Sequence, residues 1–193
     1  MPRLILSREF YARDAVTVAR ALLGKLLVHG GTSGRIAEVE AYLGQGDRAA
    51  HSARGITPRT RVIFGPPGHA YVYFIYGMYE CLNVVTEPAG TPGCVLIRAL
   101  EPVDGIPLMQ RRRPTAKRSE DLANGPGKLT RALGIGLRHY GVDLTRGPLT
   151  IRDDSDGHPA PFEITATPRI GIRQSADLLL RFTYASRPKA STK

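Results

Sequence analysis

The sequence predicts an α+β domain built on a mostly antiparallel sheet. Three observations predict it. Short strand-like runs follow one another through turn residues, helical stretches are grouped between them, and the βαβ rhythm of a parallel sheet is absent. A length of 193 residues suits one domain with a core of its own.

In chain order, Asp14 caps a helix through Val16, Val18, Ala19, Leu22 and Leu23, and Gly24 stops it. Lys25–Val28 and Arg35–Tyr42 form a hairpin closed near Gly30-Gly31. Thr57-Pro58 opens a short helix to Phe64, ended by Gly65-Pro66-Pro67-Gly68. Ala70–Ile75 and Met78–Val85 are strands around a turn at Tyr76-Gly77, and Cys94–Leu100 is another strand. Gly125-Pro126 opens a helix that Gly134 closes, and short strands follow near Leu149–Arg152, Glu163–Thr167 and Leu180–Tyr184. Arg111–Arg118 is basic and without period, as a flexible loop would be. The domain is expected over residues 1–186, with 187–193 as a basic flexible tail.

Composition narrows the class. Hydrophobic residues make up 42% of the chain, too many for a disordered protein. No apolar run approaches the roughly 18 residues of a membrane span. Met1–Ser7 lacks the apolar core of a signal peptide, so a cytoplasmic location is expected. Cys81 and Cys94 lie in apolar strands without paired histidines, so they read as buried small hydrophobes. The 27 Lys+Arg against 17 Asp+Glu leave a net charge of +10. That charge points to a polyanionic partner, nucleic acid before membrane; a solvated basic surface is the bland alternative.

Four segments carry possible chemistry. Glu38, Glu40 and Tyr42 share one side of a strand, with Asp47 and His51 following. Carboxylates are unfavourable strand residues. One beside a phenol and a histidine can act as a general base, but an exposed strand face fits the pattern slightly better. Tyr71–Tyr79 holds five aromatics in nine residues, in a chain 7% aromatic. Core packing suits Tyr71 and Phe74; a tyrosine at the turn suits a wedge into stacked bases, and one in a pocket wall can stack on a flipped base. Arg98 interrupts the apolar strand Cys94–Leu100 and so needs an anionic partner, either Glu38, a phosphate or the catalytic carboxylate. Asn124–Leu129 is no Walker motif, because Leu129 stands where Ser or Thr is required. Its glycines either cap a helix or let Lys128 and backbone N–H groups hold a phosphate.

Taken together, these segments resemble the 3-methyladenine (alkyladenine, methylpurine) DNA glycosylase family. The resemblance rests on Glu-Ala-Tyr-Leu-Gly at 40–44, Ala-Ala-His-Ser at 49–52, Thr-Pro-Arg at 57–59 and Tyr-Val-Tyr at 71–73. It continues in order through Ile-Tyr-Gly-Met-Tyr at 75–79, Asn83, Val-Leu-Ile-Arg-Ala-Leu-Glu-Pro at 95–102, Gly-Pro-Gly-Lys-Leu at 125–129 and Arg-Ile-Gly-Ile at 169–172. Only the Arg111–Asp121 segment and the C-terminal tail match poorly.

The resemblance implies a single α+β domain with a curved, roll-like sheet, helices packed around it and a protruding hairpin. It implies that Glu40 deprotonates a water, with Arg98 and the carbonyl of Ile170 positioning that water. Tyr42 and His51 would stack on one face of a flipped base and Tyr73 on the other. Asn83 would crowd the exocyclic amine of normal guanine. Tyr76 would enter the minor groove beside Met78, and Lys128 would touch the DNA backbone. The expected substrate is double-stranded DNA carrying alkylated or deaminated purines, in base excision repair at the nucleoid. The expected reaction is hydrolysis to an abasic site without strand cleavage. No metal, cofactor, membrane or obligatory protein partner is implied, and a monomer is expected. The main rival is a non-catalytic nucleic-acid-binding sheet; paired carboxylates give such a module nothing against an anion.

Overall fold

The computed structural model describes residues 3–75, 77–154 and 163–184. Eight strands form one sheet: β1 (Leu26–His29), β2 (Thr32–Tyr42), β3 (Ala70–Ile75), β4 (Tyr79–Val85), β5 (Cys94–Asp104), β6 (Leu149–Arg152), β7 (Ile164–Thr167) and β8 (Arg181–Tyr184). The main order is β3-β4-β5-β2-β1-β6, and every pairing is antiparallel. β2 is the hub. Its first half pairs with β1, its Glu38–Glu40 segment pairs with β8, and β5 runs along its other edge. Register shifts between β2 and β5 around Glu38 mark bulges, which bend a sheet. The sheet is accordingly curled, and the α+β expectation holds.

The β1–β2 hairpin closes on Gly30 and Gly31, with φ of 54° and 77°. His29 pairs with Thr32 across them. Two positive φ values in a two-residue loop are what a type I′ turn needs, and glycine supplies them without strain. Helix α2 (Ala15–Leu22) starts at Asp14, whose side chain accepts the Thr17 N–H at 2.9 Å. Its face of Ala15, Val18, Ala19 and Leu22 is wholly buried in one cluster with Ile36, Val39, Val95 and Ile97 of the sheet. Each large side chain so buried contributes about 1.5–3 kcal/mol.

α4 (Pro126–Leu133) begins where Gly125-Pro126 predicts and ends at Gly134. It packs Leu129, Ala132 and Leu133 into the same core. Thr130 Oγ1 donates to the carbonyl of Glu80 at 2.9 Å, tying α4 to β4. Gly127 is required by the same contact: a Cβ there would lie 2.7 Å from the Tyr79 ring.

Several expectations are corrected. Arg111–Arg118 is not loop throughout. Arg111 and Arg112 finish α3 (Ile106–Arg112), a helix missed because it spans only about two turns. Arg112 donates to the carbonyl of Ala132, and Arg113 to those of Asp121 and Leu122, so these two arginines are bound to the fold's own carbonyls. α1 (Arg8–Tyr11) was not expected either. The helix expected from Thr57 to Phe64 is a 3-10 turn at Arg61–Phe64, preceded by mutual Thr57–Thr60 hydrogen bonds. Phe74 is 48% exposed rather than core. It pairs with Glu80, and β5 covers β4 only over Asn83–Val85, so the outer half of the β3–β4 hairpin projects past the sheet. The tail at 187–193 lies outside the described residues.

Candidate active site

Glu40 lies on β2 where β5 and β8 flank it. Period-two alternation puts Glu38, Glu40 and Tyr42 on one side, and the structure fills that side with their partners. Arg98 on β5 reaches both carboxylates: Nε meets Glu38 Oε1 at 2.8 Å, and a terminal nitrogen meets Glu40 Oε1 at 3.3 Å. The Ile170 amide N–H donates to Glu40 Oε1 at 2.8 Å, and the Tyr42 hydroxyl donates to Oε2 at 2.9 Å. Glu40 is 0% exposed. A carboxylate offers about four lone-pair sites. Among the described residues three donors therefore partner the buried carboxylate and leave it capacity for one more. Arg181 takes up Glu38 at 3.2 Å from β8, which makes Glu38 a brace for Arg98.

In front of this carboxylate opens a cavity of about 430 Å³. Tyr42, Arg98 and Ile170, the residues that bond Glu40, all line it. The remaining wall combines His51, Tyr71 and Tyr73 with Asn83, Cys81, Cys94 and Leu96, and Gly125–Lys128 at the start of α4 forms one side. The size is within the range of small-ligand pockets, and aromatic walls with a few polar groups are typical of them.

The rings are locked by their neighbours. The 3-10 turn His51–Arg54 presents His51 edge-on to Tyr73, ring centres 4.7 Å apart at 77°. Tyr71 lies 5.3 Å from Tyr73, and its hydroxyl is 2.9 Å from His51 Nδ1. Arg59 stands over the Tyr73 ring at 4.9 Å and donates to the Tyr71 hydroxyl at 3.3 Å. Burial, then the Arg59 and Arg54 charges, push the His51 pKa down to about 4. Its ring is neutral at ordinary pH. Burial lifts Tyr71 to about 12 and holds Tyr42 and Tyr73 above the usual phenol range, so all three keep their protons. Cys94 is pushed up to about 12 by burial, and Cys81 is raised for the same reason. Burial thus favours the protonated thiol at both positions in the cavity wall.

Among the described residues, Tyr42, His51, Tyr73, Asn83, Arg98, Lys128 and Ile170 are therefore gathered round one cavity, and the match to known proteins agrees. Residues 9–188 match the family model described as methylpurine-DNA glycosylase. The chain belongs to that family. A relative from Methanoculleus marisnigri is 55% identical over 183 residues, covering 93% of this chain and 94% of its own. One from Bacillus cereus is 50% identical over 200 residues, covering 96% and 98%. One from Chlorobaculum tepidum is 47% identical over 191 residues, covering 96% and 90%. All three are named, provisionally, as 3-methyladenine DNA glycosylases.

The residues singled out from the sequence fall into three places. Arg98, Tyr42, His51, Tyr73, Asn83 and Ile170 line the cavity, and Glu40 lies behind it, bonded by Arg98, Tyr42 and the amide N–H of Ile170, whose carbonyl is the group expected to position the water. His51 packs against Tyr73, the ring expected across the base from it. Tyr42 lines the cavity, enters no ring–ring contact among the described residues and carries the Arg169 guanidinium over its ring at 4.7 Å. Asn83 is buried at the floor, where its Nδ2 donates to the carbonyl of Tyr71 at 3.2 Å. At the rim, Met78 is 65% exposed near the hairpin tip, and Lys128 Nζ donates to Asn124 Oδ1 at 2.7 Å. Tyr76 lies outside the described residues.

Sequence reasoning missed Arg59, Tyr79 and the partnership of Asp47 with Arg169. Arg59 and Arg169 were visible only as members of family motifs. No periodicity marks an arginine whose role depends on a ring brought to it by another strand. Among the described residues no group of three or more His, Cys, Asp or Glu side chains is placed to hold a metal ion, and no helix is long and apolar enough to cross a membrane.

Proposed function

We propose that the cavity receives a damaged purine turned out of duplex DNA and that Glu40 drives hydrolysis of its N-glycosidic bond, leaving an abasic site. One observation carries this reading: the three residues that bond the fully buried Glu40 carboxylate, Tyr42, Arg98 and Ile170, all line an aromatic cavity, and among the described residues they leave one of its lone-pair sites without a donor. A water held at that site gives its proton to the carboxylate as it attacks the sugar. The same negative charge stabilises the oxocarbenium-like sugar of the transition state. Arg98, Tyr42 and Ile170 supply no proton step. They fix the carboxylate, and fixed geometry is worth rate because it is prepaid in folding.

The base is held by stacking more than by edge hydrogen bonds. Tyr42 offers its open face, and stacking on an aromatic side chain contributes about 1–3 kcal/mol per base. A neutral His51 accepts an N-alkylated purine, which carries positive charge, without repelling it. Extrusion from the duplex costs on the order of a few kcal/mol and least for a badly paired lesion, so flipping is itself selective. The projecting hairpin, which carries Met78 near its tip, fills the vacated space, and Tyr76 is the residue expected to enter it. The net charge of +10 supplies the attraction to duplex DNA.

Simple hydrolysis follows because the reaction needs no amine nucleophile. Lys128, the lysine in the wall, is exposed and engaged with Asn124. We take the protein to act as a monomer on double-stranded DNA, where nucleoid association follows from the substrate. A purely DNA-binding sheet gains nothing from burying Glu40 beside its binding surface. The test is base release from duplex oligonucleotides carrying 3-methyladenine, 7-methylguanine, hypoxanthine or ethenoadenine. Free base should appear with the strand intact until alkali is added. Release from none of the four, or strand cleavage coupled to release, would overturn the reading.

A further inference from the structure

One buried charged pair has no part in the chemistry above. Arg169 and Asp47 have side chains 0% exposed, and the guanidinium grips the carboxylate with both arms, at 2.5 and 2.8 Å. A fully buried ion pair is weak evidence for stability, since desolvation offsets the attraction. The Arg169 Nε is moreover buried with no hydrogen-bond partner among the described residues. Such an arrangement calls for another reason to exist, and its neighbours give one.

Asp47 sits in the loop that follows β2. Its oxygens also accept the N–H groups of Leu43 and Ala49, each at 3.1 Å, so it fixes the chain just beyond Tyr42. Arg169 sits in the segment between β7 and β8 and donates to the carbonyls of Ala41 and Ser175. Its guanidinium lies 4.7 Å from the centre of the Tyr42 ring. Because Tyr42 lines the cavity and Arg169 is wholly enclosed, the cation covers the back of that ring. The next residue in the chain is Ile170, whose amide bonds Glu40. Two of the three donors on Glu40 are thus set by one side chain: Tyr42 through its ring and Ile170 through the peptide.

We propose that the Asp47–Arg169 pair is a positioning device for the reaction, holding Tyr42 and Ile170 against Glu40 so that the open acceptor site of the carboxylate stays aimed at the cavity. Asp47 has a second duty. It neutralises a guanidinium that would otherwise add a cation to the surroundings of Glu40, opposing an anion that must face a cationic sugar. Arg169 is a positioning residue and touches no reacting atom. The inference rests on the function proposed above.

The test compares Arg169→Met, Arg169→Lys and Asp47→Asn with wild type by single-turnover base release at saturating enzyme, alongside the affinity for the lesion duplex and near-UV circular dichroism of the fold. The expected result for folded Arg169→Met is a release rate lower by about 100-fold, the size of effect that a displacement of about 1 Å produces, with a much smaller loss of affinity for the lesion duplex. Arg169→Lys should recover part of the rate, because charge persists while the fork is lost. Asp47→Asn should slow release although Arg169 is present. If Arg169→Met does not fold, the double variant Asp47→Asn/Arg169→Met, which leaves no unpaired buried charge, carries the same expectation. Wild-type release rates in a folded Arg169→Met or in the double variant, or failure of both to fold, would make the pair mere scaffold and overturn the proposal. Wild type that releases no base overturns the functional reading instead.

Discussion

His51 makes stability depend on acid in a way that the structure sizes. Its pKa falls from 6.5 in the free side chain to about 4 in the fold, because burial and then the Arg59 and Arg54 charges disfavour the imidazolium. Between these values the unfolded chain takes up the proton and the folded one does not. The contribution is therefore fully present above pH 6.5, is lost as the pH falls toward 4, and changes no further below. At about 1.4 kcal/mol per pH unit the ceiling is about 3 kcal/mol. The ring is partly exposed, so screening by solvent leaves about 1–2 kcal/mol. Urea unfolding of wild type and His51→Gln at a series of pH values isolates the effect. Wild type should lose that much more stability than the variant as the pH is lowered through this window. Parallel losses in the two proteins would show that His51 protonates freely in the fold, and the account of a neutral ring facing a cationic base would be wrong.

Other outcomes follow from packing at the cavity. Gly127→Ala places a methyl 2.7 Å from the Tyr79 ring, which can move only by shifting the hairpin off α4. It should cost about 1–3 kcal/mol, read as a lower melting temperature, and slow excision from duplex DNA. Asn83→Ser shortens a buried floor residue and enlarges the pocket. Chromatography of released bases should show more undamaged guanine relative to alkylated purine than wild type gives.

The fold was legible where local chemistry decides it. The Asp14 cap, the Gly30-Gly31 turn and the Pro126–Gly134 helix all stand where their residues place them. What failed depended on distant partners. Arg112 and Arg113 look like solvated charge until the carbonyls of Ala132, Asp121 and Leu122 are brought to them. Phe74 looks like core because the strand pattern does not say where β5 stops covering the hairpin. At the site, alternation alone left Glu38 and Glu40 equivalent, on a face that suited solvent. Arg98 partners both, so it does not separate them. The Ile170 amide and the Tyr42 hydroxyl do, since both bond Glu40, and Ile170 arrives from 130 residues away. Contacts that long leave no periodic trace in a single sequence.

Glu40→Gln removes the proposed proton acceptor and keeps its shape. Glutamine keeps the volume, its oxygen can accept from Ile170 and Arg98, and the Tyr42 hydroxyl can turn to accept from the new amide, so the fold and the cavity should persist. The variant should bind lesion-bearing duplex DNA as wild type does. Its single-turnover release of free base should fall by about 100- to 10,000-fold, the range for losing a positioned proton acceptor. Release at near the wild-type rate from a correctly folded Glu40→Gln would contradict the account.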